Sequence, residues 1–257
     1  DSDGFSLGSS YNETNNHVAW NWKANGSGVS NTDGTITSTV SANTESGFSV
    51  VKYEGTGTAA TVGHGLNQAP EMIFCKRLDR SGDDWKVYAE AIGGGTHQLT
   101  LNSTAAASTN SAQWNDTDTT ATVFSIGTSA ATNGTNQIAY CFHSVEGFSK
   151  IGKWAGTSDT DGPFVYLGFR PAFMLFKRNG TANWVIYDKE RDPFNFVDER
   201  LFPNTSDAES GGGASYSVDW LSNGMKIRTN GSQWNQSGSD YIYMAFAENP
   251  FKYSNAR

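Results

Sequence analysis

Two tryptophans of this chain lie among amide side chains, where an exposed ring could bind a ligand. Trp114 is followed by Asn115, and Trp234 is followed by Asn235, each within a Gln-Trp-Asn run. An indole ring can stack on the apolar face of a pyranose while neighbouring amides bond its hydroxyl groups. The residue types therefore predict a ligand-binding role for these four residues. Burial of the two rings between subunits explains the pattern equally well.

Residues that commonly carry catalysis or hold metals form no recognisable constellation. The histidines have no partner at metal-ligand spacing, and no nucleophile elbow or phosphate loop occurs. Paired carboxylates could serve a glycosidase across a cleft, but their proximity in sequence does not indicate one. Asp159 and Asp161 begin like a calcium loop whose remainder is missing, so an Asx turn is the better interpretation. We expect no catalytic residue, no metal site, no cofactor and no enzymatic activity.

The two cysteines, Cys75 and Cys141, are too few for a disulfide scaffold. The matching positions of the sequence repeats described below hold Phe176 and Ala245. Exchange with Phe and Ala indicates buried packing positions, because unpaired cysteine behaves as a small apolar residue. A disulfide between neighbouring strands is the alternative.

The chain that carries these residues repeats itself at an offset of about 100 residues. The run GFS at 47–49 recurs at 147–149, and the run PEMIFCKR at 70–77 is echoed by PAFMLFKR at 171–178. A closing pair of strands survives in three copies. We predict the C-terminal end of a preceding β-repeat (1–24), a polar linker with a possible strand (25–46) and two β-sandwich repeats (47–146 and 147–257). On this interpretation the chain starts inside a truncated repeat.

Within the middle repeat, eight short segments have the character of strands, with turn-forming residues between them. They are predicted at 48–54, 60–64, 72–77, 85–91, 97–101, 111–114, 122–126 and 137–143. Many short strands at such regular spacing are typical of a β-sandwich or jelly roll. The predicted fold class is therefore all-β, built from tandem β-sandwich repeats of jelly-roll-like form. The repeats could either pack together or extend.

Charge and polarity exclude several classes of function. The net charge is −8, and only 17% of the residues are charged. An acidic chain repels phosphate backbones, so we expect no nucleic-acid partner. No apolar run approaches the 18 residues or so of a membrane-spanning helix, so we expect no membrane insertion. The surplus of Gly, Ser, Thr and Asn suits turns and exposed strand faces, as in extracellular β-proteins.

Several runs of the chain resemble repeats of structural and tail-fibre-like proteins of marine bacteriophages. They are GFSVVKYEGTG at 47–57, VGHGL at 62–66, PEMI at 70–73 and the closing FAENPFKY at 246–253. The resemblance covers nearly the whole chain and implies a virion component with repeated β-domains, either a tail fibre or an appendage. It also implies a homo-oligomer, a trimer as in tail fibres, that contacts other virion proteins. The protein would be made in the bacterial host cytoplasm and reside in the extracellular virion. No catalytic residues are implied.

The resulting hypothesis is a structural component of a bacteriophage virion that displays loops for binding the host cell surface. Its ligand would be a surface polysaccharide or a protein. Segments 104–112, 128–137 and 230–240 are the predicted recognition loops, because binding residues often lie on loops that a rigid scaffold positions. One alternative is a non-receptor virion protein, such as a head decoration or a tail connector. Another is a secreted bacterial carbohydrate-binding adhesin.

Overall fold

The computed structural model describes residues 5–9, 16–211 and 213–250, and strands dominate these ranges. Strand residues make up 39% and helical residues 9%, so the predicted all-β character is confirmed in its coarse form. Part of the predicted segment 1–24 and the last residues of the predicted repeat 147–257 lie outside the described residues. Within the described ranges, no helix has the length and apolarity needed to cross a membrane.

The described residues of the first half contribute strands β1 to β10 and two helices of one turn each. The strands are β1 (Val29–Asn31), β2 (Ser38–Asn43), β3 (Phe48–Tyr53), β4 (Ala60–Gly63), β5 (Met72–Arg77), β6 (Lys86–Ala89), β7 (His97–Thr100), β8 (Ser108–Thr109), β9 (Val123–Ile126) and β10 (Gln137–Phe142). The helices are α1 (Ser111–Trp114) and α2 (Ala130–Asn133), and short 3-10 turns lie at Glu90–Ile92 and Gly94–Thr96.

The second half follows the same plan with fewer strands. Its elements are β11 (Ser149–Ala155), β12 (Phe164–Tyr166), β13 (Pro171–Arg178), β14 (Trp184–Asp188), β15 (Val218–Leu221), β16 (Gly224–Ile227), α3 (Ser232–Asn235) and β17 (Asp240–Ala247). A 3-10 turn at Gly213–Tyr216 precedes β15.

One predicted strand of the middle repeat is wrong. Residues 111–114 form helix α1, because the Asn110 side chain accepts a hydrogen bond from the Ala112 backbone N–H at 3.1 Å and so caps the turn. Asn115 then ends the helix in the left-handed conformation, with a φ of 55°. Both positions are asparagines, and asparagine suits caps and left-handed sites better than strand interiors.

The strands form four sheets, which we number I to IV. Sheet I has the order β1-β2-β3-β10-β5-β6-β7-β8, sheet II is β4-β9, sheet III is β11-β17-β13-β14, and sheet IV is β12-β16-β15. Neighbouring strands are antiparallel throughout these ladders. The order β3-β10-β5-β6 in sheet I matches the order of sheet III. Residues 25–46 hold β1 and β2, which extend sheet I.

Apolar side chains stack the four sheets in the order II, I, III, IV. One cluster lies between sheets I and II, another between sheets III and IV, and a third between sheets I and III. In the third cluster, Phe74 and Phe142 of sheet I meet Trp184 and Met244 of sheet III. Because both faces of sheets I and III are covered, strands such as β14 are buried at consecutive positions. The two halves of the chain therefore pack face to face.

Candidate functional site

Trp114 lies at the end of α1, and its ring is buried in the core between sheets I and II. It packs edge-on against Tyr88, with the ring centroids 5.8 Å apart. Asn115 follows at the surface, where its left-handed conformation ends the helix. Stacking on a sugar needs an open ring face. The expectation of an exposed ring at Trp114 is therefore wrong.

Trp234 lies in α3, and its ring is buried in the core between sheets III and IV. Its Nε1 donates a hydrogen bond to the Tyr187 hydroxyl at 2.9 Å, and its ring centroid lies 4.9 Å from that of Tyr216. The Trp234 carbonyl accepts a hydrogen bond from Nε1 of Trp154 at 3.2 Å. The expectation of exposure is wrong here too, and the shielding comes from the chain itself rather than from a second subunit.

Asn235 is buried, and both ends of its amide are engaged by the protein. Its Oδ1 accepts a hydrogen bond from the Thr157 backbone N–H at 2.7 Å. Its Nδ2 donates to the carbonyl oxygens of Asp159 at 2.7 Å and Thr229 at 3.1 Å. The side chain thus clamps the turn after β11 to the segment that precedes α3. This geometry gives Asn235 a role in holding the scaffold together.

Asn133 is the matching clamp of the first half. Its Oδ1 accepts from the Thr56 backbone N–H at 2.7 Å, and its Nδ2 donates to the carbonyl oxygens of Thr58 and Gly127, both at 2.6 Å. The predicted recognition loops 128–137 and 230–240 contain α2 and α3, which carry the two clamps. These loops are therefore fixed parts of the framework.

The cysteines and the Asp-rich turn take the structural roles predicted for them. Cys75 and Cys141 are unpaired and buried, and burial raises the pKa of the Cys75 thiol to about 12. The Asp159 carboxylate accepts a hydrogen bond from the Asp161 backbone N–H at 2.9 Å, which is an Asx turn. Asp161 pairs with Lys226 at 2.8 Å. Among the residues that the structure describes, no three His, Cys, Asp or Glu side chains group as metal ligands would.

A cavity of about 490 Å³ opens at one end of the third core, between sheets I and III. Trp20 and Trp22 lie over it, and the Trp22 ring centroid is 5.6 Å from that of Phe173 and 5.9 Å from that of Phe142. Among the described residues that line the cavity, none is charged, and Asn21 is the one amide. Pockets that orient a ligand need a few convergent polar groups. The ring contacts of Trp20 and Trp22 beside this cavity instead hold the extended segment before β1 against sheets I and III.

A separate group of aromatic side chains is exposed on sheet IV. Along β12, Val165 is buried in the core, and Phe164 and Tyr166 lie on the opposite, solvent-facing side. The antiparallel register places Phe164 beside Lys226 of β16 and Tyr166 beside Gly224. The outer surface of this sheet therefore carries aromatic rings at positions where an alternating strand would ordinarily present polar residues.

The segment 194–197 adds two further rings along the edge of β15 that faces away from β16. The Asn195 Oδ1 accepts from the Trp220 backbone N–H at 2.9 Å, and its Nδ2 donates to the Trp220 carbonyl at 3.0 Å. Val197 pairs with the same strand and is buried beneath it. These contacts fix Phe194 and Phe196 at the rim of sheet IV.

We call Phe164, Tyr166, Phe194 and Phe196 the aromatic face. Their exposed fractions are 44%, 60%, 78% and 48%, respectively. Isolated apolar side chains at a surface need no explanation, but two pairs of exposed rings on one small sheet and the segment that borders it are typical of an interaction site. The aromatic face is therefore the candidate functional site of this chain.

Ion pairs border the aromatic face. Lys226 pairs with Asp161 at 2.8 Å, and Arg228 pairs with Asp219 at 2.5 Å. The hydrogen bond from Lys226 lowers the pKa of Asp161, so this carboxylate is charged at neutral pH. The outer surface of sheet IV thus combines exposed rings with charged groups that already have partners.

Comparison with known proteins places this chain in a family. A family model for a domain of unknown function, DUF7483, matches residues 1–250. This chain belongs to the DUF7483 family. No curated protein and no solved structure matches the chain.

In this DUF7483 chain the two halves differ at the aromatic face. The matching strand of the first half, β4, has Thr61 and Gly63 where β12 has Phe164 and Tyr166. Asn31 lies against Gly63, where a Cβ would come within 1.6 Å of its Oδ1. Sequence reasoning missed the aromatic face, although the alternating Phe-Val-Tyr at 164–166 is a signal for a strand with two outward rings.

Proposed function

We propose that this chain is a structural component of a bacteriophage virion, a tail fibre or related appendage, that binds a glycan of the host cell surface. It acts by binding rather than by catalysis. In the extracellular virion it forms a homo-oligomer, with a trimer as the expected state, and contacts other virion proteins. The aromatic face carries the proposal, because it places four exposed rings on sheet IV and on the segment that borders it.

We further interpret sheets I and II without β1 and β2, and sheets III and IV, as two jelly-roll-like sandwich repeats at 47–146 and 147–257. The shared strand order and the matched clamps of Asn133 and Asn235 support this interpretation. Four stacked layers, with both faces of the two inner sheets covered, make a rigid support. A rigid support favours binding because little conformational entropy is lost when a ligand docks.

An adsorption experiment tests the proposed function. Labelled protein is incubated with marine bacteria that the virion infects, before and after their surface polysaccharide is removed. We expect labelling of the untreated cells, loss of labelling after removal, and competition with virion adsorption. Failure to bind every host to which the virion adsorbs would contradict the proposal.

A non-receptor virion protein, such as a head decoration or a tail connector, is the second candidate. The same exposed rings favour it, because a neighbouring subunit would also shield them. Hydroxyl-radical footprinting of Tyr166 in the assembled particle separates the two candidates. Protection of Tyr166 in the particle supports a subunit contact, and modification supports display to the host.

A further inference from the structure

We propose that the aromatic face binds a neutral polysaccharide, with Tyr166 and Phe194 stacking on pyranose rings from opposite rims of sheet IV. This inference rests on the proposed function and gives it a site and a ligand class. Its basis is the arrangement of the rings, the state of the neighbouring charges and the size of the exposed surface.

The rings lie on two rims of sheet IV, and the row from Tyr166 to Leu221 between them passes through Gly224, which has no side chain. Phe164 and Tyr166 occupy the rim formed by β12, and Phe194 and Phe196 occupy the rim beyond β15. Three strand-to-strand steps separate the rims, which is a span of about 14 Å at the usual spacing between strands. A span of this size fits a short stretch of a sugar chain better than a single sugar.

Gly224 lies between the rims. A Cβ at this position would lie 2.2 Å from the Val165 carbonyl oxygen and 2.9 Å from the edge of the Phe164 ring. The Phe164 ring therefore leans over Gly224, and any larger residue would lift it. The absence of a side chain lets the Phe164 ring lie close against β16, which fixes the position of this ring on the aromatic face.

Polar groups on the same surface can bond sugar hydroxyls. Asp219 and Lys226 are cross-strand neighbours in the row that Phe164 begins. Lys150 places its Nζ 5.0 Å from the centre of the Tyr166 ring and donates to the Tyr166 carbonyl at 2.9 Å. Hydroxyl groups both donate and accept, so they can join such pairs without breaking them.

The charges favour an uncharged ligand. Lys226 and Arg228 are both paired with carboxylates, of Asp161 and Asp219, and the Lys150 ammonium is held by the Tyr166 carbonyl and ring, so each of these three cations is already engaged. The net charge of −8 also repels an anionic partner. A neutral glycan needs no unpaired cation on the protein and is not repelled by its negative charge.

The area of the face suits a glycan better than a folded protein. From 150–250 Å² per aromatic side chain, the exposed parts of the four rings amount to roughly 450 Å². A stable protein–protein interface covers about 800 Å² on each partner. A few stacked pyranose rings need much less surface than a protein partner would.

Affinity electrophoresis of the intact protein tests the inference, with dextran, galactomannan or laminarin in the gel, and with alginate as the acidic comparison. We expect retardation by at least one neutral polysaccharide and none by alginate. Tyr166→Ala and Phe194→Ala should each weaken binding about tenfold, which corresponds to the upper range for one aromatic contact. Tyr166→Phe keeps the ring and should bind within about threefold of wild type, as a ring-stacking role requires.

Leu78→Ala is the matched control, because Leu78 is an exposed apolar residue outside sheet IV. The inference is overturned if Tyr166→Ala and Phe194→Ala bind as tightly as Leu78→Ala, or if alginate is the preferred polymer. It is also overturned if the wild type binds none of the neutral polysaccharides but still labels host cells. In that case the proposed function is retained. If the wild type binds neither polysaccharide nor cells, both proposals fail.

Discussion

Replacement of Asn235 by alanine should destabilise the protein in the absence of any ligand. The change removes hydrogen bonds to three backbone groups, the N–H of Thr157 and the carbonyl oxygens of Asp159 and Thr229. A typical hydrogen bond contributes a net 1 kcal/mol or so, which sets the expected loss at about 3 kcal/mol. Thr229 is buried and loses its partner without access to water, which adds to the loss. Thr157 and Asp159 are exposed, so water can replace the hydrogen bonds lost there, and this reduces the loss of stability.

Urea unfolding followed by tryptophan fluorescence measures this loss. Asn133→Ala is the matched variant, because Asn133 makes the same contacts in the first half, and it should lose a similar free energy of unfolding. Asn235→Asp keeps the volume but turns a carboxylate toward two carbonyl oxygens, so it should be no more stable than Asn235→Ala. A loss below about 1 kcal/mol in both alanine variants would refute the clamp role.

Three further predictions concern other parts of the chain. Cys75 and Cys141 should not react with a thiol reagent at pH 8 until the protein unfolds, because burial raises both pKa values; rapid reaction in the folded state would contradict this. Trp22→Ala should speed tryptic cleavage after Lys23 about tenfold, because the ring contacts with sheets I and III are lost; an unchanged rate on gels would argue against anchoring by Trp22. Burial lowers the pKa of Lys177 to about 8 from its usual 10.5. The unfolded chain therefore binds more protons between these values, and stability relative to Lys177→Met should rise with pH across this window in urea titrations.

The sheet-forming segments were largely predictable from the sequence, and the one-turn helices were not. Strand β5, Met72–Arg77, follows a proline-containing turn and combines apolar residues with two cations at its end, so its bounds could be predicted. Helix α1 has four residues, which is too short to show a helical period. Its formation depends on the Asn110 cap, and the same residue type also suits a turn between strands.

The error at the two tryptophans has a physical origin. An amide beside a tryptophan can serve a ligand or a backbone group, and the sequence does not distinguish the two. At an offset of 102 residues, Trp114 corresponds to Tyr216, and Thr132 corresponds to Trp234. The first half therefore has one large ring at these two positions, and the second half has two, Tyr216 and Trp234, whose ring centroids lie 4.9 Å apart. The two tryptophans occupy non-matching positions because each half fills this part of its core with a different combination of side chains.

The aromatic face could not be assembled from the sequence. Its two pairs of rings lie about thirty residues apart, at 164–166 and 194–196. They share one surface only because β12, β16 and β15 pair in that order and Asn195 attaches its segment to Trp220. Neither the composition nor the periodicity of the sequence predicts these pairings.

Chemical-shift mapping by NMR tests the central claim most directly. The neutral polysaccharide that retards the protein is cut into short fragments and titrated into the isotope-labelled chain. We expect the largest shifts at the backbone amides of Phe164, Tyr166 and Gly224, and at those of Phe194 and Phe196. Largest shifts within 128–137 or 230–240, with sheet IV unaffected, would contradict the claim that the aromatic face is the binding site.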